Sequence, residues 1–394
     1  MSDLEAFRFE TREWLEKNCP QTMRGGHSSL GETATCWGGR KWVFESDDQR
    51  IWLECMAERG WTTPDWPKEY GGGGLNREET KILRQEMARI GARRPLDSFG
   101  ISMLGPALLR YGTEEQKQHY LPPIVRGEIR WCQGYSEPGA GSDLAGLQTR
   151  AEDKGDYFLV NGQKVWTSYA DQADWIFCLV RTDTDAPKHK GISFLLFDME
   201  SAGVSTKPIK LISGSSPFCE TFFDDVKVPK DQILGELNKG WDIAKYLLTH
   251  EREMIGGGFG LAAGKAMGEV ACDKIGVEHG RLADVGLRHD IALFDIDAAA
   301  FAATLERVQD EAKAGQGTGA ASSLLKYYGT ELNKRRYELL MSIGGSNALG
   351  WEGDRFEGGQ LPRAWLRTKA NSIEGGTSEI QLNIISKRIL GLPG

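Results

Sequence analysis

The sequence predicts an α+β protein, mainly α, ordered as a helical segment, a β segment and a second helical segment. Three observations carry this. Apolar positions recur at helical spacing through residues 1–130. Short apolar or alternating runs separated by turn residues fill 131–235. Helical spacing then returns and persists through 236–394. With 394 residues the chain is long enough for two or three domains around a large core.

In the first segment, ETKILRQEMARIGA (79–92) places Ile82, Leu83, Met87 and Ile90 on one helical face. GTEEQKQHYLPPI holds a capping box, in which Thr113 caps the amide of Gln116 and the Gln116 side chain reaches back. Pro122 and Pro123 are then expected to stop that helix. Residues 24–45 have no period and many Gly and Ser, so they read as a long loop, mobile or lining a site. The opening MSDLEAFRFETREWLEKN is charged and helix-like, unlike a signal peptide.

In the second segment, DYFLVNGQKVWTS reads as a strand, an N-G turn and a second strand, the signature of a hairpin. WIFCLVRTD, GISFLLFDM and TFFDDVKVP are further strands. In the third, WDIAKYLLTHERE, GLAAGKAMGEVACDKI and DIALFDIDAAAFAATLERVQDEAKA are long amphipathic helices. TSEIQLNIISKRIL is one more, ended by Gly391. The expected domains are therefore 1–130, 131–235 and 236–394.

A net charge of −8 argues against nucleic acid or an anionic membrane as the main partner. No apolar run approaches the roughly 18–20 residues of a membrane span. Seven widely spaced cysteines without C-x-x-C read as reduced thiols of a cytoplasmic protein. Six scattered histidines form no ligand pattern, so no metal site is expected.

Four stretches can carry chemistry. YSEPGAGSDLAG (135–146) is a Gly/Ser loop whose amides and hydroxyls suit a pyrophosphate or a flavin edge, or else form a solvated turn between helix and sheet. KVWTS (164–168) puts Trp166 and Ser168 on one side of a strand and Thr167 on the other. Trp166 there either covers a flat cofactor or packs in a core. HERE (250–253) sets Glu251 and Arg252 between the apolar pairs Leu247-Leu248 and Met254-Ile255, a setting that raises a carboxylate's pKa and suits it to act as a base; the alternative is a solvated charge cluster. SIEGGTSEIQ (372–381) holds a second candidate base, Glu374, in a glycine-loosened loop.

Six stretches together resemble the acyl-CoA dehydrogenase family, in family order: GWTTPDWPKEYGG, YGTEEQKQHYLPPI, YSEPGAGSDLAGLQTRA, VNGQKVWTS, FFDDVKVPKDQILGELNKGW and GGTSEIQLNIISKRILGLP. The resemblance implies an N-terminal helical domain, a middle β-barrel or sheet domain and a C-terminal four-helix bundle used in oligomerisation. It implies FAD, a CoA thioester substrate, α,β-dehydrogenation to a trans-2-enoyl-CoA, and electron-transfer flavoprotein as acceptor. A flavin monooxygenase or acyl-CoA oxidase on the same fold, and a non-catalytic partner subunit, are the alternatives.

By the same resemblance Gln133, Tyr135, Ser136, Gly141, Ser142, Trp166, Thr167 and Ser168 contact FAD, with Ser142 also near the CoA. Thr377, Ser378 and Glu379 contact it from the C-terminal side, and Arg252 lies near the CoA portion. The base of the short- and medium-chain branches is the glutamate of Tyr-Glu-Gly-Thr. Here the stretch reads Glu374-Gly375-Gly376-Thr377, so Gly375 holds the base position. The isovaleryl and long-chain branches place the base on a helix before an arginine, which matches Glu251-Arg252. Glu251 is therefore the expected base and Glu374 the runner-up, with Gly375 leaving room for the base or a wide acyl group. The family's inter-subunit Arg-x-x-Phe-Gly is missing, with Arg281 or Arg288 as substitute. Its Gln-x-x-Gly-Gly begins with Met341, before Gly344 and Gly345, and the stretch 350–365 is long. These departures resemble a bacterial catabolic branch acting on bulky or branched acyl chains, some members being hetero-oligomers. The chain is thus expected in a homo-oligomer, dimer or tetramer, or in a hetero-oligomer.

Overall fold

The computed structural model describes residues 3–25, 35–257, 266–314 and 321–393; the side chains of 249–257, 309, 312 and 313 lie outside that description. The chain divides into two units. One is Met1–Ile209 with Pro217–Leu247, the other Lys210–Ser216 with Leu248–Gly394.

The first unit opens with α1 (Asp3–Asn18), α2 (Asp47–Glu58) and α3 (Arg77–Arg89). Ser46 caps α2 and Asn76 caps α3 through a capping box with Glu79. Their apolar faces meet around Leu15, Trp52, Met56, Trp61 and Leu83, with Met87 and Ile90 packed alongside. The Trp52 indole N–H donates to the Arg93 carbonyl at 2.9 Å, so this fully buried ring leaves no orphan donor. Residues 35–45 form neither helix nor strand. Residues 26–34 of the expected loop lie outside the described residues.

A π-turn at Gly100–Leu104 leads into α4 (Gly105–Tyr111), followed by α5 (Glu114–Val125). The Thr113–Gln116 box forms as expected, with both bonds at 3.2 Å. The Gln116 amide also donates to the carbonyls of Asp231 and Ile233. Pro122 and Pro123 do not stop α5, which continues through both to Val125. Each proline removes one donor, yet the carbonyls of both still accept from Arg126 and Glu128. Burial of Leu121, Ile124 and Val125 holds the turn in place. The helix ends where Gly127 takes φ +69°.

Seven strands follow in the same unit: β1 (Trp131–Gly134), β2 (Arg150–Asp153), β3 (Tyr157–Ser168), β4 (Trp175–Arg181), β5 (Ile192–Asp198), β6 (Val204–Ile209) and β7 (Phe218–Pro229). They pair in the order β1-β4-β2-β3-β7-β6, with β5 on the other edge of β4. The β4 pairs with β1 and β2 are parallel and the remaining pairs antiparallel. The runs on β4 and β5 are buried almost throughout, which explains why they read as continuous apolar stretches.

The N-G dipeptide is not a hairpin turn. β3 is one strand of 12 residues that pairs along β7 from Tyr157↔Pro229 to Ser168↔Phe218. A register shift falls at Val160/Gly162, so Asn161-Gly162 sits in a bulge. The Asn161 amide exchanges two hydrogen bonds with Asp225, each at 2.9 Å. A Cβ on Gly162 would lie 2.7 Å from Thr149 Cα, so this glycine serves close approach of the backbones rather than a reversal.

The helix α6 (Gly240–Gly257) leaves this unit with Ile243, Ala244 and Leu247 buried. The second unit contains α7 (Met267–Ile275), a two-stranded ribbon of β8 (Val277–Glu278) and β9 (Arg281–Leu282), α8 (Val285–Lys313), α9 (Ala321–Gly344), α10 (Gln360–Thr368) and α11 (Ser378–Ile384). Of the helix expected over 260–275, the residues from Ala266 lie within the description: Met267–Ile275 are helical, but Ala266 has ψ 143° and is the N-cap, so the helix starts there rather than running through it. α9 packs against α7, α8, α10 and α11 in a bundle. Phe294, Phe301, Leu325, Leu332 and Ile343 form its core. After α11 the chain makes a π-turn at Ile385–Ile389, and Gly391 takes φ +64°. Among the described residues no helix is long and apolar enough to cross a membrane.

Candidate active site

The end of β1 and the second half of β3 bring most of the expected FAD contacts of the first unit to one rim of the sheet. Gln133 is half-buried on β1 opposite Phe177. Tyr135 is buried, its ring edge-on to Phe177 and Phe194. Ser136 is half-buried, and its carbonyl accepts from Val165 N at 2.8 Å, which lays the loop against β3. The loop tip, Pro138 to Ser142 except Ala140, is exposed, and nothing lies within 4 Å of a Cβ built on Gly139 or Gly141.

On β3 the alternation holds in outline, with Thr167 fully buried, Ser168 half-buried and Trp166 53% exposed. The buried row of Phe158, Val160 and Lys164, continued, would bury Trp166; a second register shift between Lys164 and Thr167 reverses that phase and turns Trp166 outward. Trp166 takes φ +61° at that shift, and Tyr169 takes φ +52° just beyond the strand. A left-handed bulky residue costs on the order of 1–3 kcal/mol. A large indole in water forgoes burial energy as well. The ring keeps a packing contact, edge-on to Phe218 at 6.0 Å, and is otherwise a strained, half-exposed outlier of the kind that clusters at functional sites. Arg130 fixes the strand end from below. Its guanidinium lies 5.1 Å from the Trp37 ring and 5.0 Å from the Tyr169 ring, and it donates to Gln172.

Beneath the loop lies a pair that sequence reading did not single out. Lys164 is fully buried, and its ammonium donates to Glu137 Oε1 at 2.7 Å and to the Tyr135 carbonyl at 3.1 Å. Glu137 also accepts from the amides of Gln148 at 2.6 Å and Thr149 at 2.9 Å. Burial pushes the Glu137 carboxyl up, but the Lys164 charge and these hydrogen bonds outweigh it and hold the carboxyl below the usual range. Only the lysine had a signal: Val160 and Lys164 are four apart on one strand, so Lys164 shares an inward-facing row, while nothing marked Glu137 as its partner.

The second unit carries the rest. Met341 is half-buried near the end of α9, where Gly344 closes the helix and Gly345 takes φ +53°. Gly375 and Gly376 take φ +61° and +88°. Thr377 caps α11 by accepting from Ile380 N, Ser378 is buried, and Glu379 lies in the first turn. The Glu379 carboxyl is held low by its own backbone amide at the helix start and by Thr377. Arg281 is exposed on β9, whereas Arg288 is half-buried on α8 and directed to the Leu282 carbonyl.

Both oxygens of Glu374 are engaged. Arg367 donates to one at 2.8 Å and the Asn371 amide to the other at 2.5 Å. Asn371 is fixed in turn by Asn333 and by the buried Lys326, each at 2.9 Å. Glu251 and Arg252 lie on α6, and their side chains fall outside the described residues.

The rim fits FAD. It offers an exposed indole face for a flat ring, half-buried serine hydroxyls, and open glycine amides for a pyrophosphate. The nearby carboxylates are neutralised, Glu137 by Lys164 and Asp143 by Lys188. Three family models match in order: acyl-CoA dehydrogenase N-terminal domain over 34–128, middle domain over 132–226 and C-terminal domain over 238–390. The acyl-CoA dehydrogenase IpdE1 of Mycobacterium tuberculosis is 35% identical over 403 residues, covering 100% of this chain and 99% of that protein. The solved Tcur3481-Tcur3483 steroid ACAD is 31% identical with a TM-score of 0.78, covering 100% of this chain and 98% of that one. The ChsE4-ChsE5 complex from Mycobacterium tuberculosis is 29% identical with a TM-score of 0.72, covering 100% and 98%. Agreement over the full length, in domain order as well as in fold, leaves one conclusion: the chain belongs to the acyl-CoA dehydrogenase family, FAD-binding oxidoreductases that act on CH–CH bonds.

Proposed function

We propose that the protein dehydrogenates the Cα–Cβ bond of an acyl-CoA thioester to a trans-2-enoyl-CoA and passes the electrons to electron-transfer flavoprotein. The observation that carries this reading is the strained, exposed Trp166 on the rim it shares with Ser136 and Ser168. In this reading Trp166 and Ser168 flank the isoalloxazine, Gln133, Tyr135, Ser136, Gly141 and Thr167 shape its seat, and Ser142 serves the pyrophosphate or CoA. Thr377, Ser378, Glu379, Met341, Gly344 and Gly345 contribute from the second unit on the family pattern alone, and Arg281 or Arg288 takes the place of the missing arginine.

When bound, FAD supplies the acceptor for the hydride leaving the β-carbon. Hydrogen bonds to the thioester carbonyl acidify the α-proton. Glu251 takes that proton at its carboxylate, Arg252 holds the CoA portion, and Gly375 leaves room for a wide acyl group. The engagement of Glu374 by Arg367 and Asn371 supports Glu251 over it. The name of the Tcur3481-Tcur3483 steroid ACAD supports a bulky, ring-bearing acyl group as substrate class. Anaerobic titration with a panel of acyl-CoAs tests the reading. One thioester should bleach the flavin absorbance, and a protein that binds FAD yet bleaches with none of them, steroid-derived ones included, would count against it.

Truncation of the exposed indole should show at the cofactor. Trp166→Ala is expected to weaken FAD binding about tenfold, given the worth of one aromatic stacking contact, while leaving the thermal midpoint of the apo-protein equal or higher. Flavin fluorescence titration reads the first and calorimetry the second.

A second reading, a subunit of a hetero-oligomer, is favoured by the ChsE4-ChsE5 complex among the relatives. In either assembly α8 has a face to offer. Leu293 and Ile296 are 45% and 65% exposed, and Ala292, Ala299 and Ala303 extend the stripe at helical spacing. Ile296→Glu is expected to lower the assembly state measured by light scattering, with the helical content unchanged.

A further inference from the structure

We propose that the buried Glu137–Lys164 pair is a positioning device for FAD, holding the glycine loop and the exposed tryptophan at a fixed spacing. The inference rests on the reading that this rim holds the cofactor. Ser136 is one residue before Glu137 and Trp166 is two after Lys164. A single bond of 2.7 Å therefore ties together the two arms of the rim. It is reinforced at 2.8 Å by Val165 N donating to the Ser136 carbonyl. Glu137 also closes its own loop from start to end, because the amides it accepts from belong to Gln148 and Thr149. The far side is tied separately. Arg181 donates to the carbonyls of Ala145 and Lys188, and Lys188 pairs with Asp143. Only the tip around Gly139, Gly141 and Ser142 is left open, which is the part that would face a ligand.

Stability alone is a poor reason for this pair. Two charges withdrawn from water lose hydration that their attraction repays only with good geometry, and apolar residues of similar volume often serve as well or better. What apolar residues lack is direction. A carboxylate that accepts from a lysine and two amides fixes the loop amides in space before any ligand arrives. Pre-organisation of that kind appears as affinity for the ligand.

The test separates packing from positioning in the apo-protein by measuring the thermal midpoint and the dissociation constant for FAD. The variants are Lys164→Met, the double variant Lys164→Met with Glu137→Leu, Glu137→Gln and Ser142→Pro. Lys164→Met alone strands a buried carboxylate and should lose both stability and FAD binding. The double variant should recover most of the midpoint yet bind FAD about tenfold or more weakly, because the loop amides have lost their acceptor. Should the double variant not fold, Glu137→Gln serves in its place: the unpaired Lys164 ammonium lowers the thermal midpoint, and the protein that remains folded is expected to bind FAD about tenfold more weakly. A double variant, or the glutamine variant in its stead, that binds FAD as the wild type does would overturn the proposal and leave the pair as packing. Ser142→Pro reports on the underlying reading. If it leaves the dissociation constant unchanged, the loop does not hold FAD, and the reading and the inference fall together.

Discussion

Glu251→Gln should retain FAD and bind acyl-CoA but leave the flavin oxidised, with anaerobic bleaching slowed about 10³-fold or more, as expected when a general base is removed. Glutamine keeps the shape and an acceptor oxygen but takes no proton, so ligand binding and chemistry part company in this variant. Glu374→Gln is the matched control and should change the bleaching rate only a few-fold. A base must be free to move onto its proton. Glu374 would first have to leave a 2.8 Å ion pair with Arg367 and a 2.5 Å hydrogen bond from Asn371. Its loss should instead loosen the Gly375-Gly376 turn that follows it, which would appear as a lower thermal midpoint. Rapid-mixing spectroscopy on both variants decides the matter. If Glu374→Gln is the silent variant and Glu251→Gln bleaches normally, the proposed assignment is reversed.

Local signals in the sequence translated directly into structure. The Thr113–Gln116 box needs three residues and forms as read. The α–β–α order and the buried runs of β4 and β5 follow from periodicity alone. The failures share one cause, a non-local partner overriding a local preference. Asn161-Gly162 carries the strongest short turn signal in the chain, yet Asp225 and Thr149 capture it for a bulge. Pro122 and Pro123 ought to end α5, yet burial of Leu121 and Ile124 carries the helix past them.

The candidate site divides in the same way. That Trp166 and Thr167 face opposite sides was legible from the strand period, whereas the left-handed turn at Trp166 depends on how β7 registers against β3. Glu137 and Lys164 stand 27 apart, and no pattern in the sequence couples them. The surroundings of Glu374 were hidden for the opposite reason. Its partners Arg367 and Asn371 lie close in sequence, but only the turn after α10 brings them onto its two oxygens.

The largest stability effect tied to pH belongs to Glu86. Glu86→Gln is expected to cost about 2 kcal/mol at neutral pH and almost nothing near pH 2. The Glu86 side chain is 2% exposed between α1 and α3 and accepts from Arg12, Arg8 and Arg89 at 2.8–3.1 Å. Hydrogen bonds from Arg12 lead, and those from Arg89 and Arg8 add to them against the opposing effect of burial, so the carboxyl falls to about 2. A displacement from the usual carboxylate value to about 2 would carry about 3 kcal/mol in full. The three arginines are 39–44% exposed, and solvent screening lowers that to about 2 kcal/mol. Because the folded-state value is the depressed one, this stability is complete above about pH 4.5 and drains away as pH falls towards 2. Glutamine keeps the volume and loses the charge, so wild type and variant should differ in thermal midpoint by about 2 °C at pH 7 and converge in acid. An equal difference at both ends of that range would mean that Glu86 acts through packing, and that the three arginines are held near it by α1 and α3 rather than holding those helices together.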